Sequence, residues 1–319
     1  MIGLLEVVLL ATALLTITAW AAAVFIAPAR SPGRLAPGPR AVRARLWLYA
    51  PIWLPALLVS ASVLPGVLGT ALGLGDHCAA HAGHHHHLCV LHPPHISNHP
   101  LAWSLTAAVL LPMLVTLGRA AWAGMQQFRL ARALVRSSRA SSFGPDVRLL
   151  DRQEPLALTV GFRRPVILLS DGLLDAVCPQ TLDVVLAHER AHVQRRDTAW
   201  AFLDSLAAAL MPRTVCVGLM RELALAREQA CDLWAAERAG KLRVAQALTE
   251  VARLGLSQPA FGMSIAASSL EVRVLHLLEP PQATRWWVAA PIALVLVVAA
   301  LGAGPVHSMI ERVVTLLLH

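Results

Sequence analysis

Charge is what this sequence has least of. Of its 319 residues only 14% are Asp, Glu, Lys or Arg, while 56% are hydrophobic and the mean hydropathy is +0.59. Such a balance excludes an ordinary water-soluble globular protein and directs attention to membrane segments. No Lys or Arg precedes the first apolar run, and that run is longer than the short core of a cleaved signal peptide, so it is expected to stay in place. Nor is there a basic run with interleaved aromatics, so the formal charge of +8 does not point to direct binding of nucleic acid.

What is present is a set of four apolar stretches. Ile2 to Ala27, Leu46 to about Gly73, Leu101 to about Trp122 and Trp286 to about Gly304 are almost free of charge. Each runs about 19 residues or more, enough to cross roughly 30 Å of hydrocarbon as a helix. Four transmembrane helices are predicted. Glu6 lies near the outer end of the first, within reach of headgroups, and Trp286 and Trp287 beside Arg285 read as interfacial anchors.

Orientation follows from the arginines, because short loops rich in Lys or Arg stay cytoplasmic. The first loop, residues 28–45, carries Arg30, Arg34, Arg40, Arg43 and Arg45, whereas between Arg45 and Arg119 the only formally charged residue is Asp76. The expected layout is a three-helix transmembrane region over residues 1–123, with loop 28–45 inside and loop 74–100 outside. A cytoplasmic domain over 124–285, a fourth span at 286–304 and an outside tail at 305–319 complete it. The N-terminus then lies outside.

The inner segment is long enough for one compact domain. Its opening, "SSRASSFGPDV", is turn-rich and reads as a linker; "VRLL", "LALTV" and "PVILLS", punctuated by Gly161 and Pro165, read as short strands. Ser170 or Asp171 is placed to cap a short helix "GLLDAV", and Pro179 suits the first turn of the next. On that next helix Leu182, Val185, Leu186 and Val193 can face a core. Two further helices follow, "RELALAREQACDLWAAERAG", closed by Gly240, and "LRVAQALTEVARLGL".

The helix after Pro179 contains "VVLAHERAHVQRRD". His188 and His192, four residues apart, share one face and can direct ring nitrogens at one ion, while Glu189 reaches a water on it. Zinc lowers the pKa of such a water towards about 7, and the glutamate takes its proton. With 14 His in the chain, independent draws give roughly 0.02 chance matches to this short pattern. The competing reading is a surface helix whose histidines meet solvent.

A third ligand separates the two, and "REQACD" offers Glu228, with Asp232 one turn on to hold a ligand imidazole. Glu222 points to another face, and Glu237 has no acid one turn beyond. Between His192 and Glu228, "TAWAFLDSLAAALMPRTVCVGLM" is hydrophobic enough to suggest a fifth span, yet one crossing would strand Glu228 on the wrong side. Asp204 and Pro212 interrupt it, so the preferred reading is a helix packed on the domain or lying at the bilayer surface, with a shallow re-entrant hairpin as the alternative.

"HERAHVQRRD" followed by "REQACD", preceded by "LTVGFRRPVILLSDGLL", with three spans before and one after, resembles the BlaR/MecR family of membrane zinc metallopeptidases. The catalytic domain of that family is related to the HtpX and CAAX-prenyl endopeptidases. The resemblance runs to about Gly304. It implies a mainly α multi-pass protein of the bacterial cytoplasmic membrane, with four transmembrane helices and a cytoplasmic α+β zincin-like domain between the third and fourth. It further implies one catalytic Zn²⁺ on His188, His192 and Glu228, Glu189 as catalytic base, Asp232 in support, and a strand before the helix that pairs with extended substrate. The partner so implied is a cytoplasmic repressor or other regulatory protein, cleaved in response to an outside signal. Membrane-protein quality control, as in HtpX relatives, and a metal-binding membrane receptor with a vestigial protease site are the alternatives. The best-known members carry a penicillin-binding domain after the last span; here only "PVHSMIERVVTLLLH" follows, so a β-lactam sensing role is not expected.

The outer loop is the other conspicuous feature. "DHCAAHAGHHHHLCVLHPPHISNH" carries nine histidines, His77 to His99, with Cys78 and Cys89. Imidazole and thiolate at this density suit a further transition metal, Zn²⁺, Cu⁺ or Ni²⁺; the alternative is a Cys78–Cys89 disulfide with solvated histidines. Cys178, Cys216 and Cys231 read as packing residues, with Cys231 beside the zinc site, and His276 and His307 as isolated surface or interfacial histidines. Lipid bilayer and protein substrate are the expected partners, and a homo-oligomer remains open.

Overall fold

A computed structural model of the chain describes residues 2–26, 36–72, 100–254 and 266–278, with single helical positions at 293, 297, 308, 309, 312 and 316. The histidine-rich loop with Cys78 and Cys89, His307, and nearly all of the fourth apolar stretch and the tail fall outside the described residues. Helix α1, Ile2–Ile26, is apolar apart from Glu6 and three threonines and accounts for the first predicted span. The second departs from the expectation of one straight helix: α2, Pro37–Leu48, and α3, Ala50–Ala71, meet at Tyr49 with a bend of 64°. Pro51 explains the break, since it has no N–H to continue the ladder and its ring crowds the preceding turn. The Arg-rich loop thus ends as a helix.

Helix α4, Pro100–Ser137, holds the third apolar stretch and continues well beyond Trp122. At 1.5 Å per residue it is about 57 Å long. The tract after Trp122, "AGMQQFRLARALVRS", is built from good helix formers, so nothing in it stops the helix where the apolar run stops. Among the described residues two helices are long and apolar enough to cross a membrane, or three if the bent pair counts as one span.

The turn-rich tract after α4 contributes a two-residue strand β1, Arg139–Ala140, which the sequence reading had as linker. It joins β2, Val147–Leu150, β3, Ala157–Val160, and β4, Val166–Ser170, in a sheet of order β1-β2-β4-β3. β2 and β4 are parallel, while β3 runs antiparallel to β4 with Thr159 opposite Ile167. β1 and β3 are the edge strands. The period-two alternation is clean: Ile167 and Leu169 face the next helices with Val147, Leu173 and Leu186, and Leu168 faces Ala131, Leu134 and Val135 of α4. The sheet is therefore a layer between the end of α4 and the helices that follow.

Ser170 caps α5, Asp171–Ala176, by accepting from the Leu173 N–H, and Pro179 opens α6, Pro179–Arg195. α6 ends at Arg196, whose φ of 53° makes it the one non-glycine left-handed residue described. That reversal starts α7, Asp197–Ala208, back against α6. α8, Arg213–Ala239, α9, Lys241–Arg253, and α10, Ala266–Leu278, complete the domain. Val184 and Ala187 of α6 pack with Ala235 of α8, Val244 of α9 and Leu277 of α10. The N-terminal half of α8 meets the first helices instead, through Leu219 and Leu223 against Ala23, Ala44 and Leu48.

Candidate metal centre

One helical turn separates His188 and His192 on α6, and their rings meet edge to face with centroids 4.9 Å apart. Both are buried, as is Glu189 between them. Glu228 reaches in from α8. The two Nε2 atoms are 3.2 Å apart, His188 Nε2 is 3.4 Å from Glu228 Oε2, and His192 Nε2 is 3.6 Å from Glu228 Oε1. Three ligands at 2.0–2.1 Å from a tetrahedral zinc stand about 3.3–3.4 Å from one another. The spacing of these donors fits that ion.

The second partners of the rings set their tautomers. His188 Nδ1 lies 3.0 Å from Asp232 Oδ1, and His192 Nδ1 lies 2.9 Å from Asp197 Oδ2. In a neutral ring whose Nδ1–H donates to its carboxylate, Nε2 keeps its lone pair for an ion. Two ring nitrogens and a carboxylate thus converge on one point, and Glu228 Oε2 is buried there with an ion pair to Arg273 but no hydrogen bond of good geometry. Three donor atoms so placed, neutral imidazoles and a carboxylate, suit a zinc ion.

Burial works against a charged His188, but hydrogen bonds and charge from Asp232 and Glu228 outweigh it and hold its pKa up to about 10. Burial likewise opposes ionised Glu228, and the His188 ring together with Arg273 and His192 holds it well below the usual carboxylate range. Asp232 and Asp197 are also lowered despite burial, the first through Arg273 and His188, the second through His192, Arg195 and Arg227. Arg273 Nε and Nη2 each lie 2.7 Å from Asp232, and Nη1 lies 3.2 Å from Glu228.

Glu189 faces the sheet, where its Oε2 accepts from Thr159 Oγ1 on edge strand β3 at 2.6 Å. A short hydroxyl donor of this kind fixes the carboxylate's rotamer one residue from the ligands. Every sequence-derived site residue, His188, Glu189, His192, Glu228 and Asp232, thus lies in one buried cluster. Glu222 pairs with Arg43 at 2.6 Å, and Glu237 is exposed. Asp197, Thr159 and Arg273 were missed. Of these, Asp197 alone had a signal in the sequence, as an acid five residues after His192.

A second grouping, His192, Asp197 and Cys231, is also compact enough to hold an ion. It would use Nδ1 of His192, which already faces Asp197, and Arg195 and Arg227 flank that carboxylate at 3.1 and 4.0 Å. Burial pushes the Cys231 thiol far up, and its Sγ lies 3.4 Å from His192 Nδ1. This thiol is a neutral filler behind the ring, as its packing role in the sequence suggested. His276 on α10 belongs to neither grouping.

The segment between the ligands forms two helices joined around Pro212, with Asp204 of α7 fully buried. Asp204 is held by Arg45 at 3.0 and 3.1 Å, Tyr49 at 3.2 Å and Arg227 at 3.3 Å. The tract breaks at Pro212, which has no N–H to continue the ladder, and the buried Asp204 ties α7 to α2 and α8.

Two imidazoles from one turn, a carboxylate from a second helix and an adjacent glutamate are the groups a metallopeptidase centre requires. Residues 123–260 match the model of peptidase family M48, a span that contains His188, Glu189, His192, Glu228 and Asp232. The match supports membership of the domain in that family of zinc metalloproteases. No solved structure matches the chain.

Proposed function

We propose that this chain is a membrane-embedded zinc endopeptidase whose domain faces the cytoplasm and cleaves a repressor or other regulatory protein in response to a signal from outside. The observation that carries the peptidase reading is the near-tetrahedral spacing of the His188, His192 and Glu228 donor atoms, with Glu189 beside them. Zinc bound there supplies Lewis acidity, polarising a scissile carbonyl and acidifying water. Glu189 takes the proton in the attack and returns it to the leaving amine, its carboxylate steadied by the Thr159 hydroxyl. Asp232 and Asp197 keep the imidazoles in the tautomer that leaves Nε2 free. The edge position of β3 supports addition of an extended substrate as a further strand. The histidine-rich loop is the proposed outer receptor, with transition metal as the signal.

The test is Glu189→Gln, which keeps the ligands and removes the base. Purified variant should retain zinc and lose peptide cleavage by about 10²–10⁴-fold. In cells, the level of a candidate repressor should fall on added copper or zinc in the wild type and not in the variant; identical behaviour under every condition overturns proteolysis as the output. The domain match is to family M48 at large and does not single out the BlaR/MecR type, which favours membrane-protein quality control as the second reading. Misfolded membrane proteins accumulating in the Glu189→Gln strain without metal would support it.

A further inference from the structure

The metal centre holds more negative charge than its ligands require. Glu228 and Asp232 stand one turn apart on the same face of α8, with Asp232 almost wholly buried, and like charges so placed destabilise a helix. A cation from another element has to answer both. It comes from α10, beyond the residues that match family M48.

We propose that Arg273 is a positioning residue of the metal centre: its guanidinium locks Asp232 against His188 and ion-pairs with Glu228, so the ligand set is held in place only with α10 docked. The inference rests on the zinc reading above and deepens it. All three guanidinium nitrogens are engaged, Nε and Nη2 as a fork on Asp232 at 2.7 Å each and Nη1 on Glu228 Oε2 at 3.2 Å. Asp232 Oδ1 is the atom that also receives His188 Nδ1–H, at 3.0 Å. The fork therefore fixes the rotamer of the carboxylate that in turn fixes the ring. The ion pair at Oε2 holds the Glu228 carboxylate turned towards the two rings, as a residue that orients a ligand does.

Docking of α10 is itself specified. Leu277 is fully buried in the cluster with Ala235 and Val244, and Gln229 Nε2 donates to the Val272 carbonyl at 3.3 Å, pinning the backbone next to Arg273. A lysine keeps charge here but cannot make a planar fork, which separates positioning from mere neutralisation.

The experiment uses the full chain in detergent, stripped of metal and titrated with Zn²⁺ against a chelating dye, and with Co²⁺ for its visible absorption. Arg273→Lys and Arg273→Ala should weaken zinc about 10–100-fold, the usual effect of losing a residue that orients a ligand, and shift the cobalt bands at saturation. Leu275→Ala, on the exposed face of the same helix, should do neither. If wild type binds zinc and both Arg273 variants match its affinity and cobalt spectrum, the inference fails. If wild type binds no zinc, the reading of the centre fails instead. Should the alanine variant not fold, the lysine variant decides, since weakened binding with the charge retained supports positioning and wild-type binding refutes it.

Discussion

Replacing Asp197 by Asn tests how much of the centre depends on tautomer control. Asp197 is almost fully buried, and its Oδ2 accepts from His192 Nδ1 at 2.9 Å and Arg195 Nε at 3.1 Å. Asparagine has nearly the same shape, so packing is preserved and the change is electronic. Its oxygen can still accept from Nδ1–H, but its NH₂ can equally be presented to Nδ1, selecting the ring form that carries the proton on Nε2. That nitrogen has to be bare to hold an ion. Arg195 is partly exposed and recovers its loss in solvent, and Arg227 keeps Asp204, so the cost falls mainly on the ring. Losing such an orienting carboxylate raises the zinc dissociation constant roughly 10–100-fold, about 1.4–2.7 kcal/mol. The assay is zinc competition against a chelating dye, in parallel with peptide cleavage at saturating zinc. An affinity within twofold of wild type would show that Asp197 does not govern the tautomer of His192, and the argument for a converging set of bare nitrogens would lose one of its two supports.

Three further outcomes follow from the geometry. Arg196→Gly should raise the melting temperature without altering cleavage, because a left-handed φ costs a side-chain-bearing residue about 1–2 kcal/mol and Arg196 is exposed; an unchanged or lower melting point counts against strain at the α6–α7 reversal. Asp204→Asn leaves Arg227 and Arg45 facing a neutral group in a buried site, so a loss of about 3–5 kcal/mol is expected by thermal or denaturant unfolding in detergent, and a change under about 1 kcal/mol would show the cluster to be unimportant. In zinc-free protein the raised pKa of His188, about 10 against an ordinary 6.5, contributes stability that is complete below about 6.5 and is lost as pH climbs through about 10. Melting in chelator should therefore fall between pH 7 and 10 more steeply than in zinc, where the ring carries no proton on Nε2; parallel curves refute this.

Much of the domain was legible because its signals are local. Pro179, the alternation in "PVILLS" and Gly240 each act through their own backbone, and the structure puts an element start, a buried strand and a helix end at those positions. The i and i+4 histidines are legible for the same reason, since helical geometry alone brings them together. Asp197 and Thr159 were not legible. Asp197 reaches His192 only because the chain reverses at Arg196, and an arginine gives no warning of a left-handed conformation, whereas Gly would have. Thr159 sits on a strand, where a β-branched residue needs no functional explanation. Arg273 is farther still, its distance from Glu228 closed by the packing of α10, and "SSLEVRVLHLL" reads as an ordinary amphipathic helix. The end of α4 was misjudged because loss of hydrophobicity marks where a membrane segment stops, not where a helix does.

The unbroken length of α4 makes it a lever. It begins at Pro100, directly after the histidine-rich loop in sequence, and its last turns support the sheet through Ala131, Leu134 and Val135. A tilt of about 5° around the midpoint of a rod about 57 Å long displaces each end by about 2.5 Å, roughly half the distance between neighbouring strands. A nudge that small at one tip is felt by the sheet at the other, and Pro112, where the ladder loses a donor, is a point along the rod at which it can flex.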